Sequence, residues 1–165
     1  MGKEYTLHEA LKVAIQGEKD SMDFYRKAGT VTTNERAKKV FDLLANEEVG
    51  HLKSFYEHYK GHEFGDLKSF INSPPNKKST VYHALEKALN SETPEQKALE
   101  IALKEEKACI DQYTVLVKDI IDPLVRSIFT RVIQETQGHY DMIEDEYMHV
   151  MKMVDKSDQD IYVRE

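Results

Sequence analysis

Apolar residues recur along this chain with the period of an α-helix. Leu7, Leu11, Ala14, Ile15, Met22 and Tyr25 mark one face of a first helix over about residues 6–30. Thr6-Leu7-His8-Glu9 opens it as a capping box, whose hydroxyl and carboxylate satisfy amide donors that the first turn leaves free. Thr32-Thr33-Asn34-Glu35 repeats the signal, and Ala37, Phe41, Leu44, Leu52, Phe55 and Tyr59 carry a second helix over about 33–60. Thr93-Pro94 and Asp122-Pro123 each supply a cap and a first-turn proline, which predicts helices over about 94–120 and 123–154. Their stripes run through Leu99, Ala102, Leu103, Ile110, Tyr113 and Val117, and through Val125, Phe129, Val132, Ile143 and Tyr147. From 61 to 93 the pattern is broken by Gly61, Gly65, Pro74 and Pro75, and only a short helix near 80–90 is expected. No two-residue alternation competes with these stripes, so the fold class is all-α.

A shift of 88 residues, which carries Glu18 onto Glu106, also carries Ala14 onto Ala102, Lys19 onto Lys107, Asp23 onto Asp111 and Tyr25 onto Tyr113. The same shift continues without a gap into the next helix, taking Phe41 to Phe129, Glu47 to Glu135, Gly50 to Gly138, His51 to His139 and Tyr59 to Tyr147. One constant offset across two helices and their turn predicts a duplicated unit. The expected architecture is therefore a single domain over residues 1–165: two antiparallel helical hairpins joined by a long crossover into a pseudo-two-fold four-helix bundle.

Composition narrows the setting. The 165 residues suffice for one core, and 23 Lys plus Arg against 30 Asp plus Glu give a net charge of −7. Such a balance repels phosphate backbones and anionic headgroups, so neither nucleic acid nor a membrane is an expected partner. MGKEYTLHEA has no apolar leader core, and Cys109, the one cysteine, cannot close a bridge within the chain. A cytoplasmic location is expected.

Charge on the core-facing stripes changes the picture. Glu18 lies between Ile15 and Met22, and Glu106 between Leu103 and Ile110, each in register with its apolar set. On the second helix Glu48 and His51 occupy the stripe between Leu44 and Phe55, three residues apart and hence one turn apart on one face. A carboxylate in a dry core must protonate, pair with a cation or bind a metal, and the stripes offer no Lys or Arg. Single Glu residues on two helices and Glu-x-x-His on the others form the inward ligand set that holds two metal ions in a bundle. Oxygen and imidazole donors suit iron or manganese, with zinc as an alternative occupant. The competing reading is a metal-free polar network. Gly50 and Gly138 suggest close approach of a neighbouring backbone beside the histidines.

The repeated E-K-x-x-x-D-x-Y (Glu18 to Tyr25, Glu106 to Tyr113) together with Glu48-Val49-Gly50-His51 resembles the ferritin-like domain of the rubrerythrin family, over about residues 5–150. The resemblance implies Glu18 as a terminal ligand beside His51, Glu106 as one beside His139, and Glu48 as a bridging carboxylate. It departs from the family at Thr136, where the pattern has a second bridging Glu. Glu135, next to it, is a secondary candidate ligand. Cys109 stands where rubrerythrins often carry a further Glu, as a soft ligand or a core thiol. Tyr25 and Tyr113 could hydrogen-bond the ligands or fill the core.

By the same resemblance, the expected activity is that of a non-haem iron oxidoreductase, with one or two ions per site, reacting with hydrogen peroxide or dioxygen in oxidative-stress defence or iron handling. A single cysteine excludes a four-cysteine module within these residues, so an external electron donor such as a rubredoxin-like protein is expected. A homodimer, with or without exchange of hairpins, is expected too. The alternatives are a small ferritin-like iron-binding protein and a metal-binding or structural bundle without redox turnover.

Overall fold

The computed structural model describes the backbone of residues 6–163 and the side chains of residues 6–152. It is all-helical: α1 (Leu7–Val31), α2 (Glu35–Tyr56), α3 (Leu67–Ile71), α4 (Thr80–Leu89), α5 (Pro94–Val117) and α6 (Pro123–Val163). The α1–α2 and α5–α6 hairpins form the bundle, and α4 packs against α1 and α5.

The helix starts follow local chemistry. Thr6 Oγ1 accepts from Glu9 N at 3.1 Å, and Asp122 Oδ1 accepts from Leu124 N and Val125 N, both at 3.0 Å, ahead of Pro123. At α2 the cap is Asn34, whose Oδ1 accepts from Ala37 N at 3.0 Å. Thr32 instead donates to Glu95 on α5 at 3.1 Å, so the expected box there is replaced by a tie between hairpins. α6 continues past residue 154 to Val163, consistent with the lack of Gly or Pro after Gly138. The crossover also contains α3, one turn long and capped by Asp66, which the apolar periodicity does not announce.

Two apolar clusters fill the bundle. One gathers Phe24, Tyr25, Phe41, Leu44, Leu85, Leu99 and Ile143; the other gathers Leu11, Ile15, Phe55, Tyr113, Leu116, Phe129 and Val132. On each of the four long helices, the residues between these clusters include buried polar ones: Glu18, Glu48 with His51, Glu106, and Thr136 with His139. The site is thus a polar layer between two apolar ones.

One expectation about the stripes needs correction. Lys19 is buried at 1% exposure, paired with Asp23 beside it on α1. Its ammonium also donates to the carbonyls of Ser73 at 3.0 Å and Pro74 at 3.4 Å, which straps the crossover to α1. A lysine can lie along an apolar stripe when loop carbonyls and a carboxylate receive its head.

Candidate metal centre

Glu48 stands at the middle of the polar layer. Its Oε2 lies 3.5 Å from His51 Nδ1 and its Oε1 lies 3.4 Å from His139 Nδ1, so its two oxygens face different histidines. Glu18 Oε2 is 3.5 Å from His51 Nδ1, and Glu106 Oε2 is 3.8 Å from His139 Nδ1. Two donor groups result, Glu18 with Glu48 and His51, and Glu48 with Glu106 and His139; within each, the ligand atoms lie within 4.8 Å of one another. The two imidazoles stack at 5.3 Å between ring centroids. The geometry thus brings together the five residues singled out as metal ligands, with Glu48 shared.

Each terminal carboxylate is held from the opposite hairpin. Tyr113 on α5 donates to Glu18 Oε1 at 2.9 Å, and Tyr25 on α1 donates to Glu106 Oε1. The tyrosines therefore both fill the core and orient the candidate ligands. Burial, then the neighbouring carboxylates, pushes both phenols well above their ordinary pKa, so they remain donors.

Electrostatics make this a site that retains protons when metal-free. Burial, followed by the charge of Glu48, raises the carboxyls of Glu18 and Glu106 well above the usual range. Burial acts against Glu48 too, but the nearby Glu18 carboxyl and the His139 and His51 imidazoles outweigh it and hold that carboxyl low. Burial opposes charge on His51, yet the neighbouring Glu18 and Glu48 carboxylates lift it to about 11.

The donor set fits a divalent cation. His51 Nδ1 and His139 Nδ1 are buried without a hydrogen-bond partner, and a buried imidazole nitrogen in that state calls for an explanation. Both nitrogens point at carboxylate oxygens. Tetrahedral bonds of about 2.0–2.2 Å would place neighbouring ligand atoms about 3.4 Å apart, and the histidine nitrogens lie 3.4–3.8 Å from the carboxylate oxygens they face. A cation also replaces the protons that the cluster otherwise holds.

The secondary candidates separate clearly. Glu135 is exposed and does not enter the layer; its Oε2 lies 2.7 Å from His51 Nε2, on the outer edge of the ring. Thr136 is buried at 2% exposure in the polar layer, where it supplies no carboxylate. Cys109 is half-buried and packs with the cluster around Phe129; burial, then Glu18, Glu48 and Glu106, pushes its thiol up, away from the thiolate that would ligate. Gly50 and Gly138 face open space, with nothing within 4 Å of an added Cβ, so close backbone approach is not their purpose. A further buried charge missed from the sequence, after Lys19 and its partner Asp23, is Glu146 on α6, which at 2% exposure receives Arg36 Nε of α2 at 2.6 Å. It falls on the fourth stripe, three residues after Ile143, and that register was the signal.

A family model described as Rubrerythrin matches residues 9–147. An uncharacterized protein, YhjR, of Bacillus subtilis (strain 168) is 24% identical over 131 residues, covering 78% of each chain. A hypothetical protein from Pyrococcus furiosus has a similar solved structure, with a TM-score of 0.64 and 19% identity over 90% of this chain and 92% of that one; this likeness concerns the fold. No described helix is long and apolar enough to cross a membrane.

Proposed function

We propose, from the premise that this chain belongs to the rubrerythrin family, that it is a non-haem iron protein whose reduced centre reacts with hydrogen peroxide or dioxygen in oxidative-stress defence or iron handling. One observation carries the reading: the two oxygens of buried Glu48 face two buried, unpartnered imidazole nitrogens. Glu18, Glu48, His51, Glu106 and His139 would hold the metal. Iron in this position would supply electrons and a Lewis acid for the oxidant's O–O bond.

The protein's own residues prepare that chemistry. Tyr25 and Tyr113 fix one oxygen of each terminal carboxylate and leave the other turned inward. The apolar clusters on either side keep bulk water from the layer, which strengthens every charge interaction within it. Reducing one peroxide to two waters takes two electrons and two protons. Metal loading would release the protons that burial keeps on Glu18 and Glu106 in the metal-free cluster. The electrons come from a donor outside these residues, because the single Cys109 cannot ligate a four-thiolate iron module. The working unit is a cytoplasmic homodimer.

Anaerobic loading with iron(II), metal analysis per chain and absorption spectra after peroxide addition test this reading. It expects at least one bound iron and peroxide-dependent oxidation of an added donor; a chain that binds no iron sinks it. Buried Thr136, at the place of a bridging carboxylate, favours a second reading, a metal-binding bundle without redox turnover. That reading expects bound metal but no donor oxidation.

A further inference from the structure

The pseudo-two-fold layer is not symmetric in what each hairpin contributes. The first hairpin supplies a complete set by itself: Glu18 from α1, and Glu48 and His51 one turn apart on α2. The second supplies Glu106 from α5 and His139 from α6, but the residue one turn before His139 is Thr136. Its donor group is completed only by Glu48, reaching across from the first hairpin to lie 3.4 Å from His139 Nδ1. The missing carboxylate therefore falls on the second half-site's own set.

A second difference lies outside the layer. Glu135 of α6 meets His51 Nε2 at 2.7 Å, so the outer nitrogen donates and Nδ1 is directed at Glu18 and Glu48. Such an outer carboxylate fixes the tautomer and ring orientation of a ligating histidine and raises its basicity. The 88-residue shift maps Glu135 onto Glu47, which is exposed, and among the described residues no hydrogen bond links Glu47 to His139.

We propose that the two half-sites are unequal: Glu18, Glu48 and His51, with Glu135 as the positioning residue for His51, bind a divalent cation first, and the Glu106–His139 half-site binds a second ion more weakly. This inference rests on the reading of the layer as a metal centre and adds the order in which it fills.

The test is an anaerobic titration of the full chain with cobalt(II), followed by ligand-field absorption and by competition with a chelator. The wild type should take up one ion in a tight step and a second at least about tenfold more weakly. Glu135→Gln, at a half-exposed position that tolerates an amide, should weaken the first step by roughly 10- to 100-fold and leave the second unchanged. Glu47→Gln should change neither, and a merely structural defect would weaken both steps together. Two equal steps in the wild type, or a Glu135→Gln titration that matches Glu47→Gln, would overturn the inference while leaving a metal centre in place. Failure of the wild type to bind cobalt(II) or iron(II) would overturn the functional reading and this inference with it.

Discussion

Replacing Thr136 with Glu would give the second hairpin its own Glu-x-x-His, and its effect should reverse sign with metal. Thr136 is 2% exposed, one turn from His139, within a layer that already holds Glu18, Glu48 and Glu106. Without metal, burial and the charge of Glu48 already raise two of those carboxyls, and the His51 cation already faces Glu18 and Glu48, so a fourth carboxylate is left without a partner of its own. Stranding a charge in such a place costs about 3–5 kcal/mol. Against a total stability of about 5–15 kcal/mol, the Thr136→Glu chain should stay folded with a clearly lower Tm. With metal the balance turns. Three carboxylates facing two divalent cations leave one positive charge uncompensated in the dry layer, and a fourth neutralises it. A charge-assisted contact contributes about 1.5–3 kcal/mol, which is roughly a ten- to hundredfold gain in affinity for the second ion. Thermal unfolding with and without saturating cobalt(II), beside an anaerobic titration, measures both halves. If the second-ion affinity stays at the wild-type value and metal fails to restore Tm, Thr136 does not stand where a bridging carboxylate would act.

Three further outcomes follow from the same geometry. Tyr113→Phe removes the donor that holds Glu18 Oε1 at 2.9 Å, and denaturant unfolding of the metal-free chain should register a loss of about 1–2 kcal/mol; no measurable loss would mean that Glu18 is oriented otherwise. Phe129→Ala empties the centre of a cluster in which Phe129 lies 4.6 Å from the Phe55 ring and 5.3 Å from Tyr113, and should cost about 3–5 kcal/mol by the same measurement, with a smaller value expected only if the cluster collapses into the gap. Stability of the metal-free chain should fall as pH rises from about 5 to 9, because Glu18 and Glu106 are raised above 4.5 and His51 from 6.5 to about 11, so the folded state holds more protons than the unfolded one; Glu48, held low, contributes in the opposite sense only below its ordinary 4.5. Urea midpoints across that range check the sign, and a rise with pH would refute it.

The bundle and most of its site were legible in the sequence because both are periodic. Apolar spacing located the four long helices, and charge in register with it located Glu18, Glu48, His51 and Glu106; the repeat then located His139. Contacts that depend on where a side chain ends were not legible. Spacing put Glu135 beside the ligands, but whether it reached the layer or the outer edge of His51 depended on the rotation of α6 against α2. Lys19 was left off the core-facing stripes because nothing local revealed that the Ser73 and Pro74 carbonyls would come to meet it. Gly50 and Gly138 repeat, and that repetition was taken for function; both lie on the open side of helices whose opposite side carries the ligands. The structure gives no physical account of their recurrence.

The duplication matters most where it fails. Glu47-Glu48 in the first hairpin corresponds to Glu135-Thr136 in the second, and at this pair the two halves part in role. Glu48 turns inward and is shared by both histidines, whereas Thr136 turns inward and offers no carboxylate. Glu135 turns outward to His51 of the other hairpin, and Tyr113 of the same second hairpin reaches back to Glu18. Two contacts from the second hairpin thus support ligands of the first, whereas in return the first gives Tyr25 to Glu106 and the Glu48 oxygen to His139. The first hairpin carries three candidate ligands of its own but relies on the second to aim two of them. Metal affinity and docking of the hairpins would therefore be linked in such a centre: an ion that binds only the docked arrangement would stabilise it, and a change that loosens the docking would weaken the ion even with every candidate ligand intact.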